Sequence, residues 1–127
     1  MLGFSRVAII CVCILSGSAF AADLSTDMDG LSTSYKQFKK TENNEEAIAA
    51  LEKMKTYALD AKNSIPMKLM NEPENSPEVK SYFKTLDVLA TEVQKAEDLA
   101  KDNQLVQAKE ETKEIDRIMS FGHHAFK

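Results

Sequence analysis

Residues 76–101 read SPEVKSYFKTLDVLATEVQKAEDLAK, and this stretch decides the fold. Ser76 is a good helix cap, Pro77 fits a first turn, and Glu78 meets the positive end of the helix dipole. Behind that start, Val79, Tyr82, Leu86, Leu89, Val93, Ala96 and Ala100 recur in steps of three and four. That is the period of one buried helix face. The stretch predicts a long amphipathic helix running to about Lys101.

The same period appears on both sides of it. Upstream, Leu24, Met28, Leu31, Tyr35 and Phe38 mark a first helix from about Leu24 to Lys40, weakened by Gly30. Asn43 with Glu46 resembles a capping box opening a second helix, with Ile48, Leu51, Met54, Ala58 and Ala61 on one face and an end near Asn63. Ser64 to Ser76 is a long loop with Pro66 and Pro73. Downstream, Asp102-Asn103 makes a tight turn. Leu105, Ala108, Thr112, Ile115, Met119, Gly122 and Phe126 then mark a fourth helix. No useful β-type alternation occurs. The expected fold is all-α, an antiparallel up-down-up-down four-helix bundle.

The N-terminus reads differently. Arg6, the apolar run Val7–Leu15 and the small-x-small Ala19-Phe20-Ala21 have the form of a secretory signal peptide. The run is too short to span a bilayer. Ile10 and Val12 before Cys11 and Cys13 argue against lipidation. The expected division is residues 1–21 as signal and 22–127 as a mature domain in the periplasm. The mature part then has 106 residues, no cysteine, 15 basic and 20 acidic residues. So it has no disulfide, no thiolate metal site and no Cys-x-x-Cys-His for covalent haem. Its acidity argues against nucleic acid and anionic membrane as partners.

Histidine occurs only at positions 123 and 124. With Ile115 set at zero, His123 falls at about 80°, on the flank of the buried face, and His124 at about 180°, towards solvent. The bland alternative for His123 is a boundary residue that merely packs. Topology raises its interest. In an antiparallel bundle the start of the first helix and the end of the fourth share one end. Met28 and His123 therefore come to the same height, both turned inward. Thioether plus imidazole is an axial pair for haem iron. Tyr57, Tyr82, Phe83, Phe121 and Phe126 gather at that end, as core or as the walls of a flat apolar pocket. Met54 and Met119 read as core filler. Glu45-Glu46 and Glu110-Glu111 read as solvated faces. No Glu-x-x-His pair supports a di-iron site, and no catalytic triad or phosphate loop can be placed. The chain is not expected to be an enzyme.

The sequence resembles the cytochrome b562 family over the whole mature chain. The matching residues are Ala22-Asp23-Leu24 with Met28, Ala50-Leu51, Lys53-Met54, Ala58-Leu59-Asp60-Ala61, Pro66, Lys68-Leu69 and Ser76-Pro77-Glu78. The resemblance implies one non-covalent haem b per chain, with Met28 and His123 as iron ligands. It also implies porphyrin contacts from Leu31, Tyr82, Leu86 and Ile115, and one-electron transfer to an unidentified redox partner. A monomer is expected. Two departures stand out. Family members carry an arginine one turn before the axial histidine, where this chain has Met119, and an aromatic just before it, where this chain has Gly122. Lys127 is the candidate to replace part of the arginine's role at a haem propionate.

Two rival readings stay open on the residues. One is a haem-free helical bundle, chaperone-like or stress-related. The other is a copper-handling protein using Met67, Met70 and the His123-His124 pair. Met67 or Met70 is also an alternative to Met28 as iron ligand.

Overall fold

The computed structural model describes residues 20–127, with side chains from Leu24 onward. The expected signal segment lies outside the described residues but for its last two positions. Helix α1 spans Phe20–Lys40, α2 Asn44–Asp60, α3 Pro77–Lys101, α4 Leu105–Glu110 and α5 Thr112–Phe126. Helices α4 and α5 together form the fourth limb of the bundle. The described residues contain no strand. No described helix is long and apolar enough to cross a membrane.

The caps are those the sequence offers, with one change. Asn43 accepts from the Glu46 amide at 2.9 Å, and Ser76 from the Val79 amide at 3.2 Å. The return half of the capping box is absent. Glu46 instead accepts from the Thr41 hydroxyl at 2.7 Å, and that hydroxyl accepts from the Asn43 amide at 3.1 Å. A buried threonine therefore satisfies the donor that the box would have used. At the α3–α4 turn, Asn103 adopts a left-handed φ of 62°, a conformation asparagine tolerates. Asn44 donates to the Ala100 carbonyl at 2.6 Å and to Asn103 Oδ1 at 2.9 Å, pinning the start of α2 to this turn.

The anticipated boundaries shift in two places. The second helix gives way after Asp60 to a 3-10 turn over Ala61–Asn63, and the long loop contains another over Met67–Leu69. The fourth limb is not continuous. It breaks at Glu111, where Thr112 turns its hydroxyl to the Lys109 carbonyl at 2.7 Å. A side chain bonding back to the preceding turn competes with the helix ladder.

Two apolar clusters fill the bundle. The larger holds Phe38, Leu51, Met54, Val93 and Ile115, all fully buried, together with Leu31 and Tyr35. The smaller, at the end where α2 hands over to α3, holds Ala61, Leu69, Val79, Tyr82 and Leu86. Burying a large aliphatic or aromatic side chain contributes about 1.5–3 kcal/mol, so these faces carry most of the stabilisation. Packing is extensive between α1 and α2, between α2 and α3, and between α3 and the fourth limb. The remaining neighbour pair, α1 against α5, packs sparsely. The α1–α5 seam is therefore the most loosely packed of the four, although Leu31, Tyr35, Ile115 and Ile118 meet within the larger cluster.

Candidate functional site

The seam between α1 and α5 is closed at one level by Tyr35. Its ring is buried, and its hydroxyl donates to Asp116 Oδ1 at 2.6 Å and approaches the Thr112 carbonyl at 3.1 Å. Burial, then the bond to Asp116 and its negative charge, push the Tyr35 phenol far above its ordinary pKa. It stays a neutral donor throughout the physiological range. Further towards the Thr41 end, Lys109 reaches the Lys39 carbonyl and Glu42 Oε2, each at 3.3 Å.

This contact joins the two helices at one level. Met28 lies seven residues before Tyr35, and His123 seven residues after Asp116. The helices run antiparallel, so both steps lead to the same end. Each covers about 10.5 Å of rise and brings the side chain back to within about 20° of its starting face. Met28 thus repeats the face from which Tyr35 reaches α5, and His123 repeats the face from which Asp116 meets α1. Both therefore lie towards the same end of the bundle.

Their burial differs from the expectation. Neither is turned into the core: Met28 is 39% exposed and His123 is exposed. The physical reason is the loosely packed seam. A residue on the flank of a helix face is covered only if the next helix packs closely, and here it does not. The His123 ring lies edge-on to His124 at 5.9 Å, and no hydrogen bond among the described residues occupies its nitrogens. His124 is likewise exposed, as anticipated.

The remaining named residues are all buried: Leu31 on α1, Tyr82 and Leu86 on α3, and Ile115 on α5. Leu31 and Ile115 belong to the larger cluster, and Tyr82 and Leu86 to the smaller. Tyr82 donates to the Ala61 carbonyl at 2.9 Å. Burial and then the Asp27 carboxylate push its phenol up to about 12. Phe126 meets the Tyr82 ring edge-on at 5.4 Å, Phe83 lies 5.5 Å from it, and Phe121 stands 6.1 Å from Phe126. Tyr57 lies across α1 at Gly30, where a Cβ would come within 2.6 Å of its Cε1. Gly30 is therefore a place of close approach, beyond the helix weakening read from sequence.

Met119 is half-buried against the larger cluster, as filler would be. Met54 is fully buried. Sequence reasoning missed Asp27, a buried carboxylate beside Met28 in the chain. The apolar period does not exclude it, since it lies three residues after Leu24 and four before Leu31; its charge makes the neighbouring Met28 look like the member of the buried face.

The donor set and its surroundings fit a haem. Met28 and His123 lie towards one end of α1 and α5, the end that also carries the buried Tyr82 and Leu86 and the Phe83, Phe121 and Phe126 rings. Among the described residues there is no cluster of three His, Cys, Asp or Glu side chains that could hold a metal ion by itself.

The sequence profile of the family described as cytochrome b562 matches residues 23–127. A Yersinia pestis protein named "Probable soluble cytochrome b562 1" is 29% identical over 114 residues, covering 90% of each chain. A second Yersinia pestis protein, "Probable soluble cytochrome b562 2", is 29% identical over 128 residues, covering 99% of this chain and all of that one.

Proposed function

The chain belongs to the cytochrome b562 family, and from that premise we propose that it is a soluble periplasmic electron carrier holding one non-covalent haem b between Met28 and His123. The observation that supports this reading is the Tyr35–Asp116 bond, from which Met28 and His123 each lie seven residues towards the same end of the bundle. Haem, when bound, supplies an iron that exchanges one electron between its ferric and ferrous states.

The chain's own residues do the rest. The Met28 thioether is a soft donor that favours the ferrous state, and so raises the potential. His123 would provide an imidazole nitrogen to the iron from a helix that packs on α3 and is tied to α1 by the Tyr35–Asp116 bond. Leu31, Leu86, Ile115 and the Tyr82 ring keep water from the buried side of the site. A dry, low-polarity wall limits reorganisation when charge changes. If Met28 and His123 both held the iron, no position would be left at it for a substrate, which supports a carrier over an enzyme.

Haem titration followed at the Soret band tests the reading. The wild type should saturate at one equivalent, His124→Ala should behave like it, and His123→Ala should lose the low-spin spectrum. Absence of a saturating Soret change in the wild type would instead favour a haem-free bundle.

A further inference from the structure

The 3-10 turn Met67–Leu69 anchors itself by Leu69, which is buried with Val79 and Tyr82. The flanking methionines point away from that core: Met67 is 85% exposed and Met70 66%. Large thioethers left in water contribute nothing to packing. The Met70 amide donates to the Met67 carbonyl at 3.2 Å, closing the turn. Residues three apart on such a turn are eclipsed, with a rise of about 6 Å between them. Two unbranched, flexible thioethers so placed can close on one small ion.

The turn is held against the last turn of α5. Lys68, between the methionines, donates to the Ala125 carbonyl at 3.2 Å. His124 immediately precedes Ala125, is exposed, and has no hydrogen bond on its ring among the described residues.

We propose that Met67, Met70 and His124 bind one cuprous ion. Two thioethers and an imidazole form a soft, neutral donor set, which selects Cu(I) over harder divalent ions. No cluster of three His, Cys, Asp or Glu side chains able to hold such a harder ion occurs among the described residues. The site uses neither Met28 nor His123, so it does not depend on the haem reading and can be filled beside it.

The test is anaerobic competition for Cu(I) between the full protein and a chromogenic chelator. The wild type should withdraw one equivalent. A Met67→Leu/Met70→Leu pair should weaken binding by about 100-fold, and His124→Ala by about 10-fold, since each removes soft or imidazole donors from a three-ligand set. His123→Ala should bind copper like the wild type, and the Soret band of haem-treated protein should be unchanged in the copper variants. The proposal is overturned if the wild type takes no copper, if the double variant or His124→Ala binds as tightly as the wild type, or if His123→Ala loses the ion.

Discussion

Tyr35 donates a 2.6 Å hydrogen bond to Asp116 across the α1–α5 seam, and Met28 and His123 each lie seven residues from that bond towards the same end of the bundle. Both helices have other partners, but only sparse packing with each other. This buried donor adds a directional contact to the apolar side chains that α1 and α5 share in the larger cluster.

Tyr35→Phe should lower stability by about 1.5–3 kcal/mol, the range for a hydrogen bond to a charged group. The measurement is a denaturant midpoint. The same variant should release haem faster, because α5 is then less firmly held opposite α1. Unchanged haem release would show that register is set elsewhere.

Gly30 and Gly122 should respond to alanine in opposite directions. At Gly30 the new Cβ meets the Tyr57 ring at 2.6 Å, so the ring must shift, and the gain in helix propensity of about 1 kcal/mol is outweighed. At Gly122 the nearest atom is Thr85 Cγ2 at 3.6 Å, an ordinary contact, so Gly122→Ala should stabilise by up to about 1 kcal/mol. Thermal melting of the two variants checks the sign of each.

Glu92 should make stability depend on pH in a defined direction. Burial chiefly raises its pKa; the nearby Lys95 opposes this, while Glu111 and Glu114 add to it. One of its oxygens is buried without a hydrogen bond. A carboxyl whose folded pKa is raised contributes stability fully present below the unfolded value and lost as pH rises through the folded one. Glu92→Gln should therefore exceed the wild type in stability at pH 7, by under about 1 kcal/mol, and the difference should vanish near pH 3. Denaturant unfolding at the two pH values measures it.

Met119→Arg should separate stability from haem affinity. Met119 packs against the larger core, so a guanidinium there lowers fold stability. It also restores the cation that family members carry one turn before the histidine, and should slow haem release. Haem transfer to a scavenging apoprotein reads the second effect. If the variant released haem no more slowly than the wild type, the propionate role assigned to that position would be wrong.

The helices were legible because their apolar residues keep period and their caps are explicit. Ser76-Pro77-Glu78 announces α3 almost to the residue. The break at Glu111 was not legible, because Thr112 continues the apolar spacing while its hydroxyl bonds the preceding turn. Glu97 was missed for a related reason. It is fully buried, four residues after Val93 and three before Ala100 on the buried face, yet its carboxylate reads as a solvated residue. Its charge is balanced by Lys101 at 3.1 Å on its own helix and Lys55 at 3.5 Å on α2. Partners from another helix cannot be read from one helix's sequence. That Met28 and His123 lie towards one end of the bundle was legible, since helix lengths and short turns determine that. Their exposure was not, because it depends on how closely α1 and α5 pack.

The most direct measurement is the absorption spectrum of the haem-loaded protein, ferric and ferrous, for wild type, Met28→Ala, Met67→Leu and Met70→Leu. The expected result is a sharp low-spin ferrous spectrum in the wild type and both loop variants, and a shift towards high spin in Met28→Ala alone. A Met28→Ala spectrum identical to the wild type, or the loss of low-spin character in a loop variant, would contradict the assignment of Met28 opposite His123.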